Sequence, residues 1–243
     1  SGRLNLDKDL LNEVFEAYTA FYDEQDSKET VLMVESELRD ELEDDDYLIM
    51  YVDRVVQTDD GLNILRDTKT TLNKLKYEYE DVAMNQQLLL YLPYIEKELD
   101  ITIDAIEIDE VRIAALQPVP KIQNGNPSTD KGKLELVTYE SYRNALEELG
   151  LENDPKYQYI QDYLEKRGHP LYRRTRVQIL DRNIIDTNLQ DYYETYKVMK
   201  TFPNYMVRSP LCKYCPFKKL CDLDAYNIGE DERENLKKTF FPN

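Results

Sequence analysis

Glycine and proline are scarce in this chain, at 7 and 10 of 243 residues. Their scarcity, with 41% hydrophobic residues, excludes a disordered or low-complexity polymer and leaves a globular protein. No apolar run approaches the ~20 residues needed to span a bilayer, so no membrane association is expected. No signal-peptide pattern opens the chain, which leads to an expected cytoplasmic location; Ser1-Gly2 reads as the remnant of a cleaved tag. Histidine is reduced to His169, and no cysteine precedes Cys212. Positive charge is also short: 31 Lys and Arg stand against 49 Asp and Glu, a net −18. That excess of acid argues against a protein that holds nucleic acid by charge alone. It leaves room for an enzyme whose acids lie on an outer face and whose site is screened by divalent cations. The acidic runs at 41–46 and 230–234 read as solvated loops or faces.

What is present is enough chain for one large domain, or a core with an insertion, and an unusual supply of aromatic surface in 20 tyrosines. Leu11, Val14, Phe15, Tyr18 and Phe21 recur at helical spacing, so a helix is expected over 8–22. Strands are expected at 30–38, 47–56 and 61–70, the last two joined by a turn at TDDGL. A helical pattern covers 72–99, with Pro93 expected to kink or divide it. Residues 101–114 are again strand-like. From 117 to 170 a turn-rich opening leads into two short helical patterns, 139–149 and 157–166, read as an insertion or helical subdomain. A long helix is expected over 175–200, followed by a tail that packs on the core and carries all three cysteines. The expected domains are therefore a core from 3 to 116, the insertion, and a C-terminal region from 171 to 243. The order gives an α/β fold, a mixed central sheet flanked by helices.

Asp53 is the anomaly. It interrupts YLIMYVDRVV, a run whose two faces both read as buried, and a buried carboxylate is costly unless paired, hydrogen-bonded or bound to metal. If 47–56 and 61–70 form a hairpin turning about Asp60, residues whose numbers sum to 120 face each other. Asp53 then lies opposite Asp67, about 5 Å apart at Cβ, and Lys69 projects from the same face as Asp67. Two carboxylates so close repel unless a cation lies between them. Oxygen-only ligation suits Mg²⁺ or Mn²⁺, and a neighbouring ammonium would position water or offset charge on a transition state. The spacing alone fits equally well a surface hairpin with an incidental ion pair, because Asp-x-Lys also occurs at Asp26/Lys28 and Asp154/Lys156.

MYVDRVV, then DGLNILRDTKTT, then a helix containing QQLLLY resembles the RecB-type branch of the PD-(D/E)XK nucleases, which has a restriction-endonuclease-like core. The resemblance implies that Asp53 and Asp67 are metal ligands, that Thr68 offers its backbone carbonyl to the metal, and that Lys69 is the catalytic lysine. It implies that Gln87 and Tyr91 contact the site or the DNA. Glu35, on the preceding strand where some relatives keep an acid, is a further candidate ligand, although an exposed strand glutamate accounts for it as well. The implied activity is that of a metal-dependent deoxyribonuclease, an exonuclease of recombination, repair or replication, with DNA and an oligomeric or recombination partner. The cluster of Lys166, Arg167, Arg173, Arg174 and Arg176 is where DNA is expected to touch, or else a solvated loop.

Cys212, Cys215 and Cys221 form C-x2-C-x5-C, spacing that points to a metal and not a disulfide in a cytosolic chain, with buried free thiols as the alternative. Thiolates favour zinc or iron–sulfur clusters. Iron–sulfur members of the nuclease branch, AddB-type and CRISPR-associated, use one upstream cysteine and three near the C-terminus, and these three are similar to the latter set. The upstream cysteine is absent, as is the histidine that the branch carries on a helix before its first strand. The resemblance therefore implies an incomplete or replaced N-terminal part and a 4Fe–4S cluster that is absent, incomplete or replaced by zinc. His169 is expected to be a solvated loop residue. Residues from 119 onward, with TYESYRNALEELGL, are similar to phage-encoded RecB-like exonucleases.

Overall fold

The computed structural model describes residues 8–43, 45–179 and 181–201. The three cysteines therefore lie outside the described residues. The chain divides into two compact units, Ser1–Asp186 and Thr187–Asn243. In the first unit the elements are α1 (Lys8–Asp26), β1 (Thr30–Glu41), β2 (Tyr47–Gln57), β3 (Asn63–Thr71), α2 (Tyr79–Ala83), α3 (Gln86–Leu99), β4 (Ala105–Arg112), a 3-10 turn (Lys131–Leu134), α4 (Tyr139–Glu147), α5 (Pro155–Arg167) and β5 (Tyr172–Gln178). The helix α6 (Asn183–Thr201) begins there, and its remaining turns are the described part of the second unit.

The five strands form one mixed sheet in the order β1-β2-β3-β4-β5. All neighbours are antiparallel except β3 and β4, which run parallel. A parallel pair needs a crossover, and 72–104, containing α2 and α3, supplies it. The two faces of the sheet follow from the register. Leu65, Asp67 and Lys69 share a face with Ile106, Ile108 and Glu110, their ladder partners on β4. Leu88, Leu89, Leu92 and Ile95 of α3 pack with Val55, Leu65, Ile106 and Ile108 on this face. Each such fully buried side chain contributes ~2 kcal/mol.

The opposite face is covered by α1, through Val14 and Tyr22 against Val111 and Tyr172. Buried charge fills the rest of it. Arg66 pairs with Glu107 (2.5 Å) and Glu29 (2.7 Å). Arg174 pairs with Asp109 (3.0 Å) and Asp26 (2.5 Å), and lies over the Tyr22 ring at 3.7 Å. The Tyr18 hydroxyl donates to Asp109, and Arg176 binds Glu107 at 2.8 Å.

Several expectations change. The helix of 72–99 starts only at α2, and α3 begins at Gln86, behind Asn85, whose side chain accepts the Leu88 N–H as an N-cap. Pro93 lies inside α3 without dividing it. The helix expected over 175–200 is instead the strand β5 followed by α6. Its alternation of Arg and Thr does not read as amphipathic until the acids of β4 are known to face it. For the same reason Arg174 and Arg176 are not a solvated basic loop: they neutralise Asp109 and Glu107 inside the fold. Tyr47–Gln57 is two-sided only in its second half; from Tyr47 to Val52 exposed and buried residues alternate.

Candidate active site

The expected hairpin register is the observed one. Arg54 pairs with Arg66, Val55 with Leu65, Val56 with Ile64 and Gln57 with Asn63, every sum being 120. The ladder stops at Arg54/Arg66, one step short of Asp53 and Asp67. Beyond that point the Asp53 carboxylate takes over, its Oδ2 accepting the Thr68 N–H at 2.8 Å. β3 changes character at the same place: Ile64 to Asp67 are buried, whereas Thr68 and Thr70 are exposed. The site therefore sits where the sheet opens to water.

The Lys69 ammonium lies 2.7 Å from Asp67 Oδ2, with side-chain exposures of 34% and 8%. Oδ2 is buried, and this ion pair is the contact it makes. Burial first, and the charge of Asp53 in addition, raise the Asp67 carboxyl above the ordinary range against the opposing pull of Lys69. Burial by itself would lower Lys69, yet pairing with Asp67 and the charges of Asp53 and Tyr77 hold it above its usual value. At neutral pH it is a cation that donates and does not abstract protons.

Two residues that support this row escaped sequence reasoning. Glu110, 1% exposed, is the β4 partner of Lys69. Its carboxylate accepts the N–H groups of Lys76 (2.8 Å) and Tyr77 (3.2 Å) and pairs with Arg173 at 2.9 Å. It thereby fixes the loop after β3 and sets Tyr77 near Lys69. Only the parallel register of β3 and β4, invisible locally, puts it there.

The remaining candidates are placed differently. Gln87 is exposed and donates to the Tyr91 hydroxyl at 3.1 Å, so this pair is joined to itself on α3, the helix that packs on the site's face. Glu35 falls between the pairs Val34/Arg54 and Ser36/Val52, opposite Asp53, with a positive φ of 44°. It is exposed. Among the described residues no group of three or more His, Cys, Asp or Glu side chains converges on a metal-sized point, so Glu35 does not join the two aspartates there. His169 is not a solvated loop residue. Its ring stacks on Tyr172 at 4.5 Å and lies 4.8 Å from Phe21, its Nδ1 accepts the Leu171 N–H, and burial lowers its pKa to about 4.

The donor set fits a hard divalent cation. It offers two carboxylates, one of them buried and raised in pKa beside the other, and such a cation takes few protein oxygens while keeping several waters. No helix among the described residues is long and apolar enough to cross a membrane. No curated protein matches the chain. The family model of the PD-(D/E)XK nuclease superfamily matches residues 4–222, a span that takes in the hairpin, its supporting strands and all three cysteines. With an Asp/Asp/Lys row at the open end of a mixed sheet and a match over most of its length, the chain belongs to the PD-(D/E)XK nuclease superfamily.

Proposed function

We propose that this protein is a Mg²⁺- or Mn²⁺-dependent deoxyribonuclease of the RecB-type branch, an exonuclease serving DNA recombination, repair or replication in a bacterial or phage-infected cell. The observation that carries this reading is the ion-paired Asp67–Lys69 couple beside Asp53 at the sheet's open end. Asp53, Asp67 and the Thr68 carbonyl would hold the metal. When bound, the metal polarises the scissile phosphate and makes water a better nucleophile. Lys69, kept charged by its surroundings, orients that water by donating to it and offsets the negative charge that builds on the phosphoryl oxygens. Glu110 and Tyr77 hold Lys69 in place, and Gln87 with Tyr91 positions the strand. Water is the nucleophile, and no covalent intermediate with the protein forms.

The three cysteines supply one thiolate fewer than a 4Fe–4S cluster or a tetrahedral zinc takes, and they take no part in the hydrolysis. Their role in this reading is to fasten the C-terminal region, and the iron and zinc content of the purified protein decides it.

The test is cleavage of linear, end-labelled DNA with Mn²⁺ or Mg²⁺, wild type beside Lys69→Ala. Loss of one transition-state donor costs on the order of 10²–10³ in rate, so the wild type digests and the variant, folded by circular dichroism, does not. Equal digestion by both overturns the assignment. A second reading, a nuclease-fold binding module without turnover, is favoured by the −18 charge and by an α1 that carries no histidine. DNA binding with no digestion by either protein selects it.

A further inference from the structure

We propose that the cavity between α5, the 3-10 turn and the far ends of β4 and β5 is a subsite for a phosphate monoester, the terminal phosphate of the strand being cut. This rests on the nuclease reading above and deepens it.

The cavity has a volume of about 190 Å³, and its lining includes Lys74, Arg112, Lys131, Arg167 and Arg173 with the acid Glu135. Lys74 and Arg112 pair with Glu135, and Arg173 pairs with Glu78 and Glu110, so the charges of Arg167 and Lys131 are the ones left over. In a chain with 49 acidic and 31 basic residues, this is a local reversal of sign. It is also a built site. Arg167 donates from Nη1 to the Leu134 carbonyl at 2.8 Å and from Nη2 to that of Val137, so neutral groups hold it in place. Burial lowers its pKa from the usual arginine range. A half-buried guanidinium held by carbonyls and the Tyr163 side chain, with no carboxylate at ion-pair distance, keeps an unneutralised charge, a costly arrangement unless an anion completes it. Its Nε is buried with no partner, and so is the Nε of Arg112, whose side chain is only 11% exposed. Lys131 stands over the Tyr163 ring at 4.4 Å.

The position connects this cavity to the catalytic row. Arg112 is the β4 partner of Thr71, and Arg173 is the β5 partner of Glu110, itself the partner of Lys69. All lie on the face that carries Asp67 and Lys69. From Asp67 to Thr71 is four residues, about 13 Å along a strand, a distance a strand of nucleic acid covers in a few nucleotides. The volume falls below the ~300 Å³ at which pockets enclose a whole small molecule, which suits a phosphate group. A monoester carries −1.5 to −2 at neutral pH, a better match than a diester to the two cations, Arg167 and Lys131, that stand here without a carboxylate partner among the described residues.

The test is equilibrium binding in Lys69→Ala protein, so that failure of catalysis does not affect it. Fluorescent single-stranded oligonucleotides with 5′-phosphate, 3′-phosphate or hydroxyl ends are compared, with Arg167→Gln and Lys131→Gln made in the same background. The second variant, at an exposed residue, remains informative if the first does not fold. One end phosphate is expected to tighten binding about tenfold, as a charge-assisted contact does. The preference disappears in Arg167→Gln and shrinks several-fold in Lys131→Gln, while hydroxyl-ended strands bind all three proteins alike. Equal affinity for phosphate and hydroxyl ends, or a preference that survives both substitutions, overturns the proposal. Inorganic phosphate, followed through the NMR signal of the single histidine in the lining, separates the two sources of the anion. Competition with the end-phosphate preference supports the proposal. A shift of His169 without any end preference makes the cavity a free-anion site and overturns the strand-end assignment.

Discussion

Asp67 carries a cost: its carboxylate is buried and raised in pKa, with the charge of Asp53 beside it. A divalent cation would remove that cost, and binding to the folded state alone stabilises by RT ln(1 + [L]/Kd), about 2.7 kcal/mol at a hundredfold excess over Kd. Thermal unfolding should therefore shift upward with Mn²⁺ in the wild type and stay fixed in Asp67→Asn and Asp53→Asn; an equal shift in all three would place the metal elsewhere. His169 gives the pH signature. Its folded pKa of about 4 lies below its ordinary 6.5 because burial disfavours the imidazolium. Between those values the unfolded chain takes up a proton that the folded chain refuses, so this contribution is intact above pH 6.5 and is lost as pH falls toward 4. The loss is on the order of 3 kcal/mol at its fullest. Urea unfolding of wild type and His169→Phe at pH 7 and pH 4.5 should show a gap in stability change between the two proteins; parallel losses would mean that other groups govern the acid limb.

At the scale of elements, β5 does two jobs with alternate arginines. Arg173 faces the catalytic row through Glu110, while Arg174 and Arg176 face α1 through Asp109 and Glu107. Asp109 is 0% exposed and has a second oxygen without a partner. Arg174→Ala should therefore destabilise by about 3–5 kcal/mol, the cost of leaving a buried charge alone, as read by chemical denaturation. Asp109→Asn in the same chain should recover a large part of it; no recovery would assign the loss to packing against Tyr22 instead. Here the limits of sequence reading have a physical form. The β2–β3 register was readable because a five-residue turn, 58–62, ties it to numbering, and so Asp53, Asp67 and Lys69 could be placed from the chain alone. β5 was not readable, since its arginines make sense only beside acids more than sixty residues away. Glu110 was missed for the same reason, because a parallel ladder leaves no local trace of which residue faces which. Pro93 misled in the other direction: α3 has an apolar face packed well enough to run through it.

At the scale of the molecule, the −18 charge and the few cations near the row set how nucleic acid can be held. If Lys69 meets the scissile phosphate and the cavity meets the terminal one, about three phosphate charges are neutralised on binding. The slope of log K against log salt should then be about −2 for a single strand. A slope near −10 would mean a basic track beyond these residues. Affinity should also depend on divalent cations more than on ionic strength, because the aspartates repel an approaching phosphate until a metal is bound.

The sheet also has an order in time. β1, β2 and β3 are joined by two short turns, 42–46 and 58–62, whereas β3 reaches β4 only after 72–104 and β5 only after a further 59 residues, 113–171. Short loops close early and long closures come late. Asp53 and Asp67 thus belong to the first part of the sheet able to form as the chain leaves the ribosome. Glu110, Arg112 and Arg173 arrive only when much more has been made. A nascent chain would hold the carboxylate pair well before it holds the residues that fix Lys69 or surround the phosphate cavity, so the capacity to capture a metal ion would precede the capacity to cut.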